Sequence, residues 1–229
     1  MNTRNNHSMI IQKAGQNLHL LPEHALFWED QKTLIVSDIH LGKTGHFRKH
    51  GIPIPGKSSH EDLSVLLDLI VEFSAEKLLI LGDLFHSDIN SEWFLIREWR
   101  QECPETEIIL VPGNHDQLER QTYSEAGINL TDEQFQNGPF LFSHDIPKDY
   151  SDGQWLISGH IHPVTQIRGI GRQSMNFPCF YLREKHLILP SFGFFTGGHK
   201  MDSKKADEIY AVIDREEIIK IEVEAINSV

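Results

Sequence analysis

The chain has 229 residues, 24% charged and 39% hydrophobic, with the apolar residues spread along its whole length. This balance excludes a disordered or fibrous polypeptide, and no stretch reaches the roughly 18 apolar residues of a spanning helix, so no membrane partner is expected. A formal charge of -12 weighs against a broad, non-specific grip on nucleic acid, although bound divalent cations would invert the field locally where they sit.

The first ten residues, MNTRNNHSMI, lack the apolar segment of a secretory signal and look loose over roughly the first eight. Cys103 and Cys179 are the only cysteines and form no CxxC pair, so two reduced thiols and a cytoplasmic setting are expected. With no repeat, low-complexity tract or linker, residues 1–229 read as one domain.

Short apolar runs at Thr33–Ser37, Lys77–Leu81, Glu107–Val111, Phe140–Ser143 and Trp155–Ser158 predict buried strands. Between the first two, Ser59–Phe73 places Leu63, Leu66, Leu67, Ile70 and Phe73 at helical spacing behind an acidic first turn. A second helix is predicted over Ser91–Arg100, where Trp93, Phe94, Ile96 and Trp99 spread too widely around the axis for one-sided burial. After Pro163 the pattern turns to β-rich pieces, Phe177–Leu182, His186–Leu189, Glu208–Ile213 and Ile218–Val223. Helix–strand alternation followed by consecutive strands predicts an α/β arrangement of mixed sheets covered by helices.

Five polar clusters follow the first five strands directly: Asp38-Ile39-His40, Gly82-Asp83, Gly113-Asn114-His115-Asp116, Ser143-His144-Asp145 and Gly159-His160-Ile161-His162. Strand carboxyl ends in open α/β sheets converge on one crevice, so ligands remote in sequence can meet there. Strand alternation would turn Asp38 and His40 to one side, and likewise His160 and His162. Taken singly, each cluster is an ordinary helix cap, turn or core histidine. Their recurrence at matching strand ends points instead to a metal centre. Imidazole combined with carboxylate suits Mn, Fe, Co, Ni or Zn, whereas an all-oxygen site would suit Mg or Ca.

In order and spacing, D-x-H, G-D, G-N-H-[DE], a lone His and G-H-x-H resemble the signature of the calcineurin-like metallophosphoesterases. The resemblance implies a four-layer α/β/β/α sandwich with two mixed sheets. It also implies a first metal on Asp38, His40 and His162, a second on Asn114, His144 and His160, and Asp83 bridging them. His115 matches the family's catalytic histidine, which is not a ligand, and Asp116 would orient its ring. Two divalent ions are implied, Mn2+ foremost, with Fe, Zn, Co or Ni as alternatives. They would activate water for in-line attack on phosphorus.

A narrower resemblance runs through SDIHLGKTGHFRKHGIPIP, LGDLFHS and LILPSFGFFTGGH. These blocks are similar to bacterial phosphoesterases encoded beside an ATP-dependent DNA ligase, described as ligase-associated DNA-repair endonucleases. That likeness implies a nucleic-acid phosphodiester substrate and functional association with a ligase and a nuclease. Lys43, Arg48 and Lys49 on a short basic helix, and His86 after Asp83, are candidate substrate contacts or merely a solvated face. The glycines of Phe192–His199 either let the backbone approach the metal centre or make a turn, and His199 is a weaker candidate for proximity to the site.

Two other readings remain open. One is a phosphatase or pyrophosphatase acting on a small or lipid-linked nucleotide; bacterial enzymes that cleave a UDP-sugar lipid share the SDIHL- and GDLF-like strings but add a helical insertion. The other is a non-catalytic binding module of the same fold, which tends to lose a ligand or the catalytic histidine.

Overall fold

The computed structural model describes residues 8–42, 58–85, 91–151, 153–169, 173–194 and 196–222. Lys43, Arg48, Lys49 and His86 lie outside the described residues. Seven strands form the first sheet: β1 (Met9–Lys13), β2 (Gln16–Leu21), β3 (Ala25–Trp28), β4 (Thr33–Ser37), β5 (Lys77–Leu81), β6 (Glu107–Val111) and β7 (Ile128–Leu130), in that spatial order. β1 to β4 run as an antiparallel meander, and β4 to β7 are parallel.

The parallel connections carry α1 (Ser58–Glu72), α2 (Ser91–Trp99) and α3 (Arg120–Glu125). Parallel strands need crossovers, and the crossovers cover the sheet, so β4, β5 and β6 are apolar on both faces. Their alternation divides two cores. Leu34, Val36, Leu78, Ile80, Ile108 and Leu110 face the helices, while Ile35, Leu79, Leu81, Ile109 and Val111 face the second sheet.

α1 buries Leu63, Leu66, Leu69 and Ile70, with Leu67 and Phe73 at the edge of that core. Each fully buried side chain of this kind contributes about 1.5–3 kcal/mol. On α2 the expectation of burial on more than one side fails. Trp93, Ile96 and Trp99 are buried, but Phe94 is 65% exposed. Trp93, Ile96 and Trp99 recur every third residue on one face, and the Trp99 Nε1 donates to Leu63 O at 2.8 Å, joining α2 to α1.

The second sheet contains β8 (Gln134–Asn137), β9 (Phe140–Ser143), β10 (Trp155–Ser158), β11 (Pro163–Arg168), β12 (Ser174–Arg183), β13 (His186–Ile188), β14 (His199–Lys200), β15 (Glu208–Ile213) and β16 (Glu217–Ile221). Its order is β14-β11-β12-β13-β10-β9-β8, with the β15–β16 hairpin paired onto β12. It too is mixed, with β9, β10 and β13 mutually parallel. Between the sheets Trp28 meets Phe140 edge-on at 5.1 Å, and Phe142, Phe180, Leu187 and Tyr210 extend that core. The outer face of the second sheet carries a small cluster of Cys179, Tyr181, Ile188, Ala206 and Ile209, against which Met201 packs. The expected α/β sandwich of two mixed sheets is present. Among the described residues its α-helices all fall between strands of the first sheet, and the chain just before β15 forms a 3-10 turn at Ser203–Lys205.

Register makes the strands stop in step. Ser37 lies opposite Leu81 and Leu81 opposite Val111, while Ser143 lies opposite Ser158. Every polar cluster of the sequence therefore begins at the same edge of the sandwich.

Candidate metal centre

The candidate ligand residues do not continue the strands that deliver them. Asp38, His40, Asp83, His160 and His162 all have left-handed backbone, with φ between 50 and 66°. Such conformations cost non-glycine residues on the order of 1–3 kcal/mol each and concentrate at functional sites. This corrects the reason expected for Asp38 and His40 sharing one side: the backbone twist after Ser37 sets their directions, not strand alternation. Main-chain bonds hold the twist, since Asp38 N–H donates to Gly82 O at 3.2 Å and His40 N–H to Asp83 O at 2.9 Å.

The glycines beside these residues make room for them. Gly82 has φ 75°, and a Cβ there would fall 2.3 Å from Nδ1 of His144. A Cβ on Gly113 would lie 2.3 Å from Oδ1 of Asp83, and one on Gly159 2.5 Å from Oδ2 of Asp38. The G-D, G-N and G-H pairs are thus places where a ligand presses on the next loop.

Asp38, His40, Asp83 and His144 are all buried, which is costly for ionisable groups without partners. Nε2 of His162 approaches Oδ1 of Asp38 to 3.0 Å, and Nε2 of His40 lies 4.0 Å from that oxygen. Oδ2 of Asp83 lies 3.7 Å from Nε2 of His40 and 3.6 Å from Nε2 of His144. Asp83 therefore stands between the two halves. Across the sheets, the His160 N–H donates to Oδ2 of Asp38 at 2.9 Å, joining residues 122 apart in sequence.

Backbone carbonyls fix the rings. Nδ1 of His144 donates to Leu81 O at 3.0 Å and Nδ1 of His162 to Gly197 O at 2.9 Å, leaving each Nε2 with its lone pair toward the centre. Nδ1 of His160 sits 3.0 Å from Nε2 of His144. At that separation the two ring nitrogens are close enough that both could serve one cation.

The residues fit divalent metal in other respects. Two groups, Asp38–His40–His162 and Asp38–Asp83–His144, bring ligand atoms within 4.8 Å of one another. Oδ1 of Asp38 is enclosed without a hydrogen bond of good geometry among the described residues. Burial alone would raise the Asp38 carboxyl, but the neighbouring His162 and His144 rings and the His160 amide hold it below the usual range. A buried carboxylate approached by several imidazoles is suited to hold a divalent cation.

Asn114 and His115 are exposed, and His160 is half-buried. The His115 N–H donates to Oδ1 of Asp83 at 3.0 Å, and its ring stands 5.6 Å from that of His40. Asp116 is buried, with Oδ1 accepting from Leu84 N–H at 3.1 Å and Oδ2 from Gly113 N–H at 2.9 Å. Burial, offset in part by those amides and reinforced by the Asp83 charge, pushes its carboxyl up to about 6. Those bonds lock the G-N-H-D turn to the G-D turn.

A cavity of about 570 Å³ opens from this face, lined by Asn114, Asp116, His144, Asp145, Ile146 and Lys148 among others. It shares Ile146 with a second cavity of about 600 Å³ containing Tyr150, Tyr181, Arg183 and His199. Sequence reasoning assigned no role to Asp145, whose Oδ2 is 3.9 Å from Nε2 of His160, or to Lys148. Asp145 follows His144 directly, and only that adjacency could have drawn attention to it. The His199 N–H donates to His162 O at 2.9 Å, which places its backbone beside the centre.

Two mixed sheets present carboxylates and imidazoles at aligned strand ends, a donor set suited to divalent metal. Residues 31–189 match the model of the calcineurin-like phosphoesterases, and the chain belongs to that family. It is accordingly a metal-dependent phosphoesterase. Among solved structures it is similar to the nuclease MPE of Pseudomonas putida, with 28% identity and a TM-score of 0.78 over 93% of this chain and 100% of that one. The phosphoesterase YfcE of E. coli is more distant, with 16% identity and a TM-score of 0.46 over 83% of this chain and 98% of that one. No curated protein sequence matches the chain significantly. Among the described residues no helix is long and apolar enough to cross a membrane.

Proposed function

We propose that the chain is a dinuclear phosphodiesterase acting on nucleic acid. One cation would be held by Asp38, His40 and His162 and the other by Asn114, His144 and His160, with Asp83 between them. The observation that carries this reading is the near-equal approach of Oδ2 of Asp83 to His40 and His144, 3.7 and 3.6 Å. A paired divalent centre supplies a nucleophilic hydroxide at neutral pH and neutralises charge on the phosphoryl oxygens.

The protein's own groups do the rest. The left-handed loops and backbone carbonyls hold Asp38, His40, Asp83, His144, His160 and His162 in place before substrate arrives, so little reorganisation of these groups remains for the reaction itself. His115, exposed beside the centre and anchored through its amide to Asp83, donates a proton to the leaving oxygen or a hydrogen bond to a phosphoryl oxygen. Asp116 positions that turn through its two backbone amides. Lys148 in the site cavity, together with Lys43, Arg48, Lys49 and His86, offers contacts to neighbouring phosphates.

Manganese is the foremost metal for this mixed donor set, with Fe, Zn, Co or Ni as alternatives. A nucleic-acid substrate is favoured over a small nucleotide by the 28% identity to a nuclease whose entire length is covered, and a second cavity adjoins the first at Ile146. The repair role, with functional association to an ATP-dependent DNA ligase and a nuclease, and the cytoplasmic setting belong to the same proposal; both cysteines are free and buried. With Mn2+ added, the protein should cleave oligonucleotides and bis-p-nitrophenyl phosphate faster than p-nitrophenyl phosphate. Preference for the monoester would move the assignment to a phosphatase, and inactivity on all three would leave a binding module.

A further inference from the structure

Behind the centre lies a half-buried cation that the chemistry above does not use. Arg215 occupies the β15–β16 turn, where Asp214 and Arg215 both have left-handed backbone, φ 48 and 58°. Its Nη2 donates to Phe192 O, and its guanidinium carbon stands 4.3 Å from the Phe194 ring centroid and 5.7 Å from that of Phe192. His24, buried between β2 and β3, meets the same segment from the first sheet. Its Nδ1 lies 2.8 Å from Ser191 O and 3.5 Å from Nη2 of Arg215. One ring nitrogen cannot donate to a carbonyl and also accept from a guanidinium, so the shorter contact decides. Nδ1–H donates to Ser191 O, and Arg215 packs alongside. Burial and the neighbouring Arg215 charge hold His24 down at about 3, so its ring stays neutral.

The segment held from both sheets bears on the ligands. Ser191 Oγ donates to Asp38 O at 2.9 Å, Gly193 N–H to the same oxygen at 3.2 Å, and Phe192 N–H to Ser37 O at 2.8 Å. A Cβ on Gly193 would come within 2.3 Å of Ile39 O, so the strap lies directly against the Asp38–His40 turn. Further along, Thr196 Oγ1 donates to Gly193 O at 3.0 Å, and Gly197 O fixes the ring of His162. The strap thus touches Asp38 and His162, whereas the ring of His144 is held from β5 through Leu81 O.

We propose that Arg215 and His24 are positioning residues for one half of the centre: they clamp the strap of residues 190–194 and 196–197, and thereby set the affinity of the Asp38–His40–His162 site separately from its neighbour. The proposal rests on the two-cation reading above. It requires no contact between either residue and substrate, and predicts an effect on metal binding before any turnover.

The test is calorimetric titration of the metal-free, full-length protein with Mn2+ alone. Wild type should bind two ions. Arg215→Gln should weaken one of them about 10-fold or more, the scale for groups that orient metal ligands, and leave the other within about threefold. Combined with His162→Ala it should add little, and combined with His160→Ala it should keep its full effect, because only residues acting on one site are non-additive. Ser191→Ala, which removes only the hydroxyl on Asp38 O, should weaken the same ion and stands in if Arg215→Gln does not fold. Equal weakening of both ions would overturn the proposal. So would unchanged affinity accompanied only by a lower melting temperature of the metal-free protein. A wild type that binds no Mn2+ or a single ion would overturn the two-cation reading as well, which separates the two failures.

Discussion

The Asp38 half of the centre is enclosed, with Asp38 and His40 buried and His162 pinned by Gly197 O, whereas the Asn114 half opens to solvent through Asn114, His115 and the half-buried His160. The enclosed half is braced by chain from both sheets. The open half faces the 570 Å³ cavity. Rigid placement and access make opposite demands on burial, and under the proposed assignment they fall to two different sets of ligands. Asp83 lies on the boundary.

Substituting that boundary residue gives the largest expected effect. Asp83→Ala should lower turnover on the order of 10⁴-fold, which corresponds to about 5 kcal/mol in the barrier. Metal content measured by plasma mass spectrometry should fall more than in His40→Ala or His144→Ala. Equal metal loss in all three would mean that the halves are independent and unbridged.

On the open side His115→Ala should retain both metals while turnover falls roughly 10²–10⁴-fold. Loss of metal in that variant would make His115 a ligand and redraw the division. Gly82→Ala probes where the halves are packed together: its φ is 75° and the new Cβ would land 2.3 Å from the His144 ring. Left-handed strain and overpacking together predict destabilisation of about 2–4 kcal/mol. A chemical denaturation midpoint matching wild type would show that the His144 loop yields freely.

The smallest effect concerns the support behind the enclosed half. Burial carries the Asp62 carboxyl up from 3.8 to about 7 against the opposing Arg215 charge. The folded protein then binds more protons than the unfolded chain between those values, so this group's contribution to stability is present at low pH and is lost as pH rises toward about 7. Asp62→Asn should flatten that decline, raising the melting temperature near neutrality by a few degrees, about 1 kcal/mol in a chain of this size, and leaving it little changed near pH 4. Parallel melting curves for the two proteins across this range would remove Asp62 from the account.

Legibility in the sequence followed the strength of the local signal. The strands Thr33–Ser37, Lys77–Leu81, Glu107–Val111, Phe140–Ser143 and Trp155–Ser158 are present at the bounds their composition predicts. Strands buried on both faces are continuous apolar runs, and a polar cluster marks each end. β1 (MIIQK) and β2 (QNLHLL) escaped notice because their faces are unequally buried and polar residues interrupt them. β14, two exposed residues long, has no pattern of its own and exists through its pairing with β11. Phe94 looked like core because hydrophobicity alone does not reveal which side of a helix lacks a neighbour.

The sequence by itself determined which residue types stand at the strand ends, and with them the family and the kind of chemistry, because strand period, turn residues and ligand chemistry are local properties. Tertiary structure decided how those residues meet. The His160 amide reaches Asp38 across 122 residues, Oδ2 of Asp83 lies between rings from different sheets, and Arg215 and His24 close on a strap remote from both. These contacts depend on how two sheets stack and where their loops twist, and energies of that kind belong to pairs of distant residues that no local pattern records.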